Sequence, residues 1–101
     1  MKLTERHKKH LRGLGHPLKP VIMVGEAGLS ASLLQEFSAT IEHHELIKVR
    51  VRSGNRKTRD AIIDELCQTG AAELVTRIGN VALIYKRNDE QPRILLPRSR
   101  N

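Results

Sequence analysis

Tryptophan is missing from this chain of 101 residues, and the other large aromatics are confined to Phe37 and Tyr85. Any core must therefore be aliphatic, and recognition by an exposed platform of base-stacking aromatics is disfavoured. Cys67 is the only cysteine. Neither an internal disulfide nor a cysteine-pair metal site can form, which fits a reducing, cytoplasmic setting. No apolar run approaches membrane-spanning length, and the N-terminus carries no apolar signal core, so no membrane partner is expected. Acids are also scarce: 11 Asp and Glu stand against 18 Lys and Arg, a net charge of +7. Such a balance suits a polyanionic partner. The length fits one domain, and 39% hydrophobic residues allow a modest core.

The charge comes in blocks. Residues 1–20 carry six Lys/Arg and one acid, residues 21–45 four acids and no Lys/Arg, and residues 46–59 six Lys/Arg and no acid. Residues 60–74 then carry four acids and no Lys/Arg, and the remainder is basic again. This alternation suggests that folding gathers like charge onto faces.

Thr4 can cap a basic amphipathic helix over residues 4–14, with Leu3, His7, Leu11 and Leu14 on one stripe and Gly13 and Gly15 ending it. His16-Pro-Leu-Lys-Pro20 is an extended linker. Val21 to Val24 is a short continuous apolar run, expected as a strand buried on both faces. A Gly25-Glu26-Ala27-Gly28 turn follows. Ser30 is a good N-cap, and Leu29 and Leu34 have the spacing of a hydrophobic staple. The stripe Leu29, Leu33, Leu34, Phe37, Ile41 predicts a helix over residues 30–43, with Glu36 and Glu42 on its exposed face.

Residues 46–52 alternate cleanly. Ile47, Val49 and Val51 face one way, and Lys48, Arg50 and Arg52 the other, so one strand has a core face and a basic face. A turn at residues 53–55 leads to a helix opened by Arg56, Lys57 and Arg59, striped by Ile62, Ile63, Leu66 and Cys67, and closed at Gly70. Two strands, residues 73–78 and 81–86, join through Gly79-Asn80 as a hairpin. The resulting order, α-β-α-β-α-β-β, predicts a single α/β domain with one mixed four-stranded sheet and three helices. Residues 1–87 form that domain. Residues 88–101 form a polar tail, expected to be loosely ordered, whose Ile94-Leu95-Leu96 patch can dock.

No constellation here reads as catalytic. His7 belongs to an apolar stripe, and His43 and His44, being adjacent, are expected to point apart, with no carboxylate at ligand spacing to either. No metal and no cofactor is expected. Ser30 is explained as a cap and Cys67 as a small core residue. Two glycines three apart, between a strand and a helix N-terminus, make an anion-binding turn whose natural anion is a phosphate. In KH domains a Gly-x-x-Gly loop clamps a nucleic-acid backbone, although there it lies between two helices.

As a set, Leu3-Thr4, Leu11-Arg12, His16-Pro-Leu-Lys-Pro-Val21, Val24-Gly25, Gly28-Leu-Ser30, His44-Glu-Leu-Ile-Lys-Val49, Ile78-Gly79 and Leu83-Ile-Tyr-Lys86 resemble the CRM family (chloroplast RNA splicing and ribosome maturation), in family order over about residues 3–87. The nearest likeness is to its stand-alone bacterial YhbY-like members. The resemblance implies a fold like the C-terminal domain of translation initiation factor 3. It also implies binding to ribosomal RNA and association with precursors of the large ribosomal subunit; plant relatives act in group II intron splicing. The family's Gly-x-x-Gly loop falls on Gly25–Gly28. Many members place a basic or neutral residue where Glu26 stands, so phosphate binding here falls to the backbone N–H groups of the turn.

The expected function is therefore that of a non-catalytic, monomeric, cytoplasmic protein. Its expected partner is structured RNA, large-subunit ribosomal RNA or its precursor within a pre-ribosomal particle. The expected RNA-binding set is Gly25, Glu26, Ala27 and Gly28, flanked by Lys9, Arg12 and Lys19, and extended by Lys48, Arg50, Arg52, Arg56 and Lys57. Two alternatives stay open: an RNA-processing enzyme, and a protein-interaction adaptor using the acidic helix face or the Ile94–Leu96 patch.

Overall fold

The computed structural model describes residues 2–52 and 54–97. Its elements are α1 (Glu5–Gly15), β1 (Pro20–Val24), α2 (Ala31–His44), β2 (Leu46–Val51), α3 (Arg56–Gly70), β3 (Glu73–Ile78) and β4 (Val81–Tyr85). Each helix starts on a short polar residue. Thr4 Oγ1 accepts from the His7 N–H at 3.1 Å while His7 Nδ1 accepts from the Thr4 N–H at 3.3 Å, a reciprocal box with histidine in the place usual for Glu or Gln. Ser30 Oγ accepts from the Leu33 N–H at 3.2 Å, and Asn55 Oδ1 from the Thr58 N–H at 2.8 Å. Each such cap is worth about 1 kcal/mol. Of the expected turn at residues 53–55, Ser53 lies outside the described residues, as do residues 98–101 of the tail.

The sheet order is β1-β2-β4-β3. β1 pairs parallel with β2, and β4 pairs antiparallel with both β2 and β3. The last strand in sequence is thus inserted between β2 and β3. Gly79, at φ +60, supplies the backbone angle that folds β4 back into that gap. The expected α/β fold, with three helices on one mixed four-stranded sheet, is the one found.

Two apolar clusters flank the sheet. On one face Phe37 and Ile41 of α2 and Ile63 and Leu66 of α3 meet Ile22, Val24, Val49 and Ile84. Leu29 and Leu34 pack against the same cluster, as a staple requires. On the other face Leu3 and Leu11 meet Leu46, Val75, Leu83 and Tyr85, with Ile94 and Leu96 of the tail laid on top. Each fully buried aliphatic side chain contributes about 1.5–3 kcal/mol.

Four expectations are corrected. β1 is buried on one face only, because it is the sheet edge and α1 packs over β2 and β3 instead; Val21 is 53% and Met23 46% exposed. Leu14 leaves the buried stripe of α1 and is exposed. Gly13 lies inside α1, and Gly15, its last residue, is set by space, since a Cβ there would lie 2.7 Å from the Leu83 methyls. Gly70 likewise admits Phe37, whose Cε2 would be 2.6 Å from an added Cβ, while Ala71 takes the left-handed angle at φ +52.

The tail is held by a residue that the sequence did not advertise. Glu45, at φ +63 and fully buried, follows the last turn of α2. Its carboxylate accepts three main-chain N–H bonds, from Asn88 at 2.7 Å, Arg93 at 2.7 Å and Ile94 at 2.8 Å. Its own carbonyl accepts from the Lys86 N–H at 2.8 Å. His7 Nε2 donates to the Pro97 carbonyl at 3.0 Å, the tautomer that leaves Nδ1 as the acceptor facing Thr4. Leu95 points away and is exposed.

Replacing Glu45 by Ala leaves three N–H groups without an acceptor, so urea unfolding should register a loss of about 3 kcal/mol. Gly70→Ala should cost about 1–3 kcal/mol through Phe37, and pairing it with Phe37→Leu should return part of that loss.

Candidate nucleic-acid interface

Parallel strands release their carboxyl ends on one side of a sheet, where the helices that follow them begin. β1 ends at Val24 and β2 at Val51. The Arg52 N–H donates to the Val24 carbonyl at 2.8 Å and ties the two exits together. Arg52 is thereby set beside the residue from which the Gly25-Glu26-Ala27-Gly28 turn springs. The Gly28 N–H donates to the Gly25 carbonyl at 3.0 Å and closes that turn.

Only one of the two glycines, Gly28, has a positive φ, +83. A Cβ added at either would meet nothing within 4 Å. Gly28 is therefore required for its backbone angle, and Gly25 stands in open approach. The Gly28 amide is spent inside the turn, so it is not one of the anion donors that the motif suggests. Donors remain in the N–H groups of Glu26 and Ala27, and in those of Ala31 and Ser32 in the first turn of α2, which have no partner among the described residues. The Glu26 side chain is exposed and forms no ion pair among the described residues.

The second helix N-terminus opens at the same end. Arg56 and Lys57 occupy the first turn of α3, where positive charge opposes the helix dipole by a few tenths of a kcal/mol. Asp60 offsets part of this, with Arg56 Nε at 3.8 Å and Arg77 Nε at 2.7 Å. Arg77 Nη1 also donates to the Gly79 carbonyl at 2.6 Å, and the Val51 N–H donates to the Asn80 carbonyl at 2.7 Å. The β3–β4 hairpin is thus pinned beside the exit of β2.

Lys48 and Arg50 lie on the opposite side of the sheet from α2 and α3. With Arg12 they line a groove between the end of α1 and the uncovered part of the sheet, about 480 Å³ in volume and floored by Ile78, Val81 and Leu83. Lys48 Nζ donates to the His16 carbonyl at 3.2 Å. Lys9 lines a separate shallow hollow with Arg6 and His10. Lys19 precedes the first residue of β1, whereas Gly25 follows its last, so the strand separates them. The residues singled out in sequence therefore fall into an end group (the turn, Arg52, Arg56, Lys57) and a groove group (Arg12, Lys48, Arg50), with Lys9 and Lys19 apart. The groove was not legible beforehand, because Val81 and Leu83 join it only through the insertion of β4 beside β2.

The model of the CRS1/YhbY (CRM) domain matches residues 3–86. The chain belongs to that family. It is 43% identical over 88 residues to a Pseudomonas aeruginosa protein named a probable RNA-binding protein, covering 87% of this chain and 85% of that one. Over 96 residues it is 40% identical to a Haemophilus influenzae RNA-binding protein, covering 95% and 96% of the two chains. A Staphylococcus aureus protein solved in solution superposes with a TM-score of 0.82 at 32% identity, covering 95% of this chain and all of that one. That solved structure shares this arrangement of elements, and the turn and groove both lie within the span matched by the family model.

Three residues weighed for chemistry are placed by the same geometry. His43 and His44 do not point apart; their rings meet edge to face with centroids 4.7 Å apart, both exposed in the last turn of α2. Burial, with the nearby Asp64 and Glu73 carboxylates, pushes the Cys67 thiol up to about 11, as for an inert packing residue.

Backbone strain predicts that Gly28→Ala costs about 1 kcal/mol in urea unfolding, whereas Gly25→Ala changes stability by less than about 0.5 kcal/mol. At pH 8 only about a thousandth of Cys67 is thiolate, so its alkylation by iodoacetamide should be far slower in the native protein than in urea.

Proposed function

We propose that this protein is a non-catalytic RNA-binding protein that grips structured RNA at the carboxyl ends of β1 and β2. One observation carries the reading. The bond from the Arg52 N–H to the Val24 carbonyl brings the Gly25–Gly28 turn, two helix N-termini and the cations Arg52, Arg56 and Lys57 to one end of the sheet. Phosphate is the ligand that such an assembly suits: unpartnered N–H groups supply directed donors, and the dipoles and guanidinium groups supply charge. Glu26 opposes it, so the grip there belongs to the main chain. The names of the relatives from Pseudomonas aeruginosa and Haemophilus influenzae support RNA as the polyanion.

Within that reading, the bound RNA is large-subunit ribosomal RNA or its precursor, met by a monomer in the cytoplasm during assembly of the subunit. The chain's +7 charge would then serve both rapid association and backbone contact. Phe37 and Tyr85, its only Phe and Tyr, are both in the core and offer no stacking platform, which favours recognition by backbone and shape.

Gly25→Asp is the cleaner test, since it adds a carboxylate in open space without backbone strain. In filter binding to large-subunit ribosomal RNA fragments it should weaken affinity about tenfold or more while the urea midpoint is unchanged. Arg52→Gln and Lys57→Gln should each reduce the slope of log K against log salt by about 1. Full affinity in all three variants would refute this placement.

A further inference from the structure

We propose that the groove between α1 and the sheet is a pocket for one unstacked base of the bound RNA, separate from the phosphate grip at the turn. The proposal rests on the RNA-binding reading and adds a second subsite to it.

Size and lining favour a nucleotide. A volume of about 480 Å³ is ample for a single base. The floor of Val81, Leu83 and Ile78 offers an aliphatic surface for the face of a planar ring. Arg12, Lys48 and Arg50 stand around it, and no acid lines the groove among the described residues. An acidic phosphate linked to an apolar-faced base matches both halves of that lining. Uncovered apolar surface continues outward through Val21, Met23 and Ile78, the last 76% exposed.

Arg50 points to the same occupant. It projects from a central strand, is half-buried, and its Nε is buried with no hydrogen-bond partner among the described residues. A buried donor left without an acceptor is costly. The guanidinium edge can offer two parallel N–H bonds, which suit the paired acceptors on a base edge or a phosphate. Lys48, two residues earlier on the same face, spends one of its three donors on the His16 carbonyl. Gly15 keeps α1 close to Leu83 and so forms the inner wall. Because a stacked and paired base cannot enter, the pocket selects loops, bulges and ends over uniform duplex.

The full chain would be photo-crosslinked to a stem–loop RNA with thiouridine in its loop, and to a fully paired duplex of equal length. Crosslinked peptides would be mapped by mass spectrometry. Loop crosslinks are expected on residues 76–83, and on neither strand of the duplex. Val81→Trp fills the groove without changing charge. It should weaken stem–loop binding about tenfold, abolish those crosslinks and change duplex affinity less than about twofold. Arg50→Met, which leaves the floor intact, should likewise lose the stem–loop preference and covers the case in which Val81→Trp does not fold. Unchanged stem–loop affinity in the folded variants, crosslinks confined to other segments, or an equal loss on duplex for Val81→Trp would overturn the pocket. If wild-type protein binds neither RNA, the RNA reading itself falls with it. If Gly25→Asp impairs binding and the groove variants do not, the pocket alone falls.

Discussion

Parallel pairing of β1 with β2 is the constraint from which the candidate interface follows. A strand that leaves a sheet beside its parallel neighbour must send its next helix from the same end. Here that rule places the N-termini of α2 and α3 side by side, and the Arg52–Val24 bond closes the remaining gap. An antiparallel β1 would present its amino end there instead, and the Gly25–Gly28 turn would sit a strand's length from Arg56 and Lys57. Charge alone does not make the site; topology decides which cations can act together. Lys19 illustrates this, being near the turn in sequence and a strand away in space.

The two faces of the sheet are stabilised differently. The face under α2 and α3 is a continuous aliphatic cluster in which Gly70 admits Phe37. The other face is only partly covered, and its cover is assembled from both ends of the chain. Glu45 takes a left-handed angle that costs a non-glycine residue about 1–2 kcal/mol, and three main-chain N–H bonds to its buried carboxylate offset that strain. The same contact fixes residues 88–94, which lay Ile94 and Leu96 over Tyr85 and Leu3. What stays uncovered is the strip nearest β1, where Met23 is exposed and Arg50 and Val81 line the groove.

Local chemistry made the elements legible. Thr4, Ser30 and Asn55 mark helix starts because a short side chain can accept an N–H of the first turn wherever it sits. Lys48 and Arg50 declared their face because strand periodicity is local. Long-range facts were hidden. Nothing in residues 81–85 says that they insert between β2 and β3 rather than adding at the edge. The all-apolar run at Val21 to Val24 suggested two buried faces, yet α1 packs over β2 and β3 and does not cover this edge strand, which leaves Val21 and Met23 in solvent. Glu45 read as one more acid in an acidic stretch, since its partners lie 43–49 residues onward. Gly70 looked like a helix terminator, and only the packing partner reveals that it is a spacer. The Gly-x-x-Gly pattern named the turn but not which amides it leaves free.

β2 links the proposed phosphate grip to the proposed base pocket. Lys48, Arg50 and Arg52 project from alternate positions, each pair about 6.6–6.8 Å apart along the strand. Lys48 and Arg50 stand in the groove, and Arg52 stands at the turn. One strand therefore carries cations from the pocket to the end of the sheet without a break. An RNA backbone held at the helix N-termini would have its next nucleotides guided along β2 toward the groove, and a single unpaired base could turn inward over Val81 while its neighbours remain outside. The half-buried setting of Lys48 and Arg50 fits this better than a uniformly solvated basic face would, because partly desolvated charges interact more strongly with phosphate and are less screened by salt. The expected consequence is a division of labour: the turn end contributes most of the salt-dependent affinity, and the groove contributes the preference for unpaired over paired RNA.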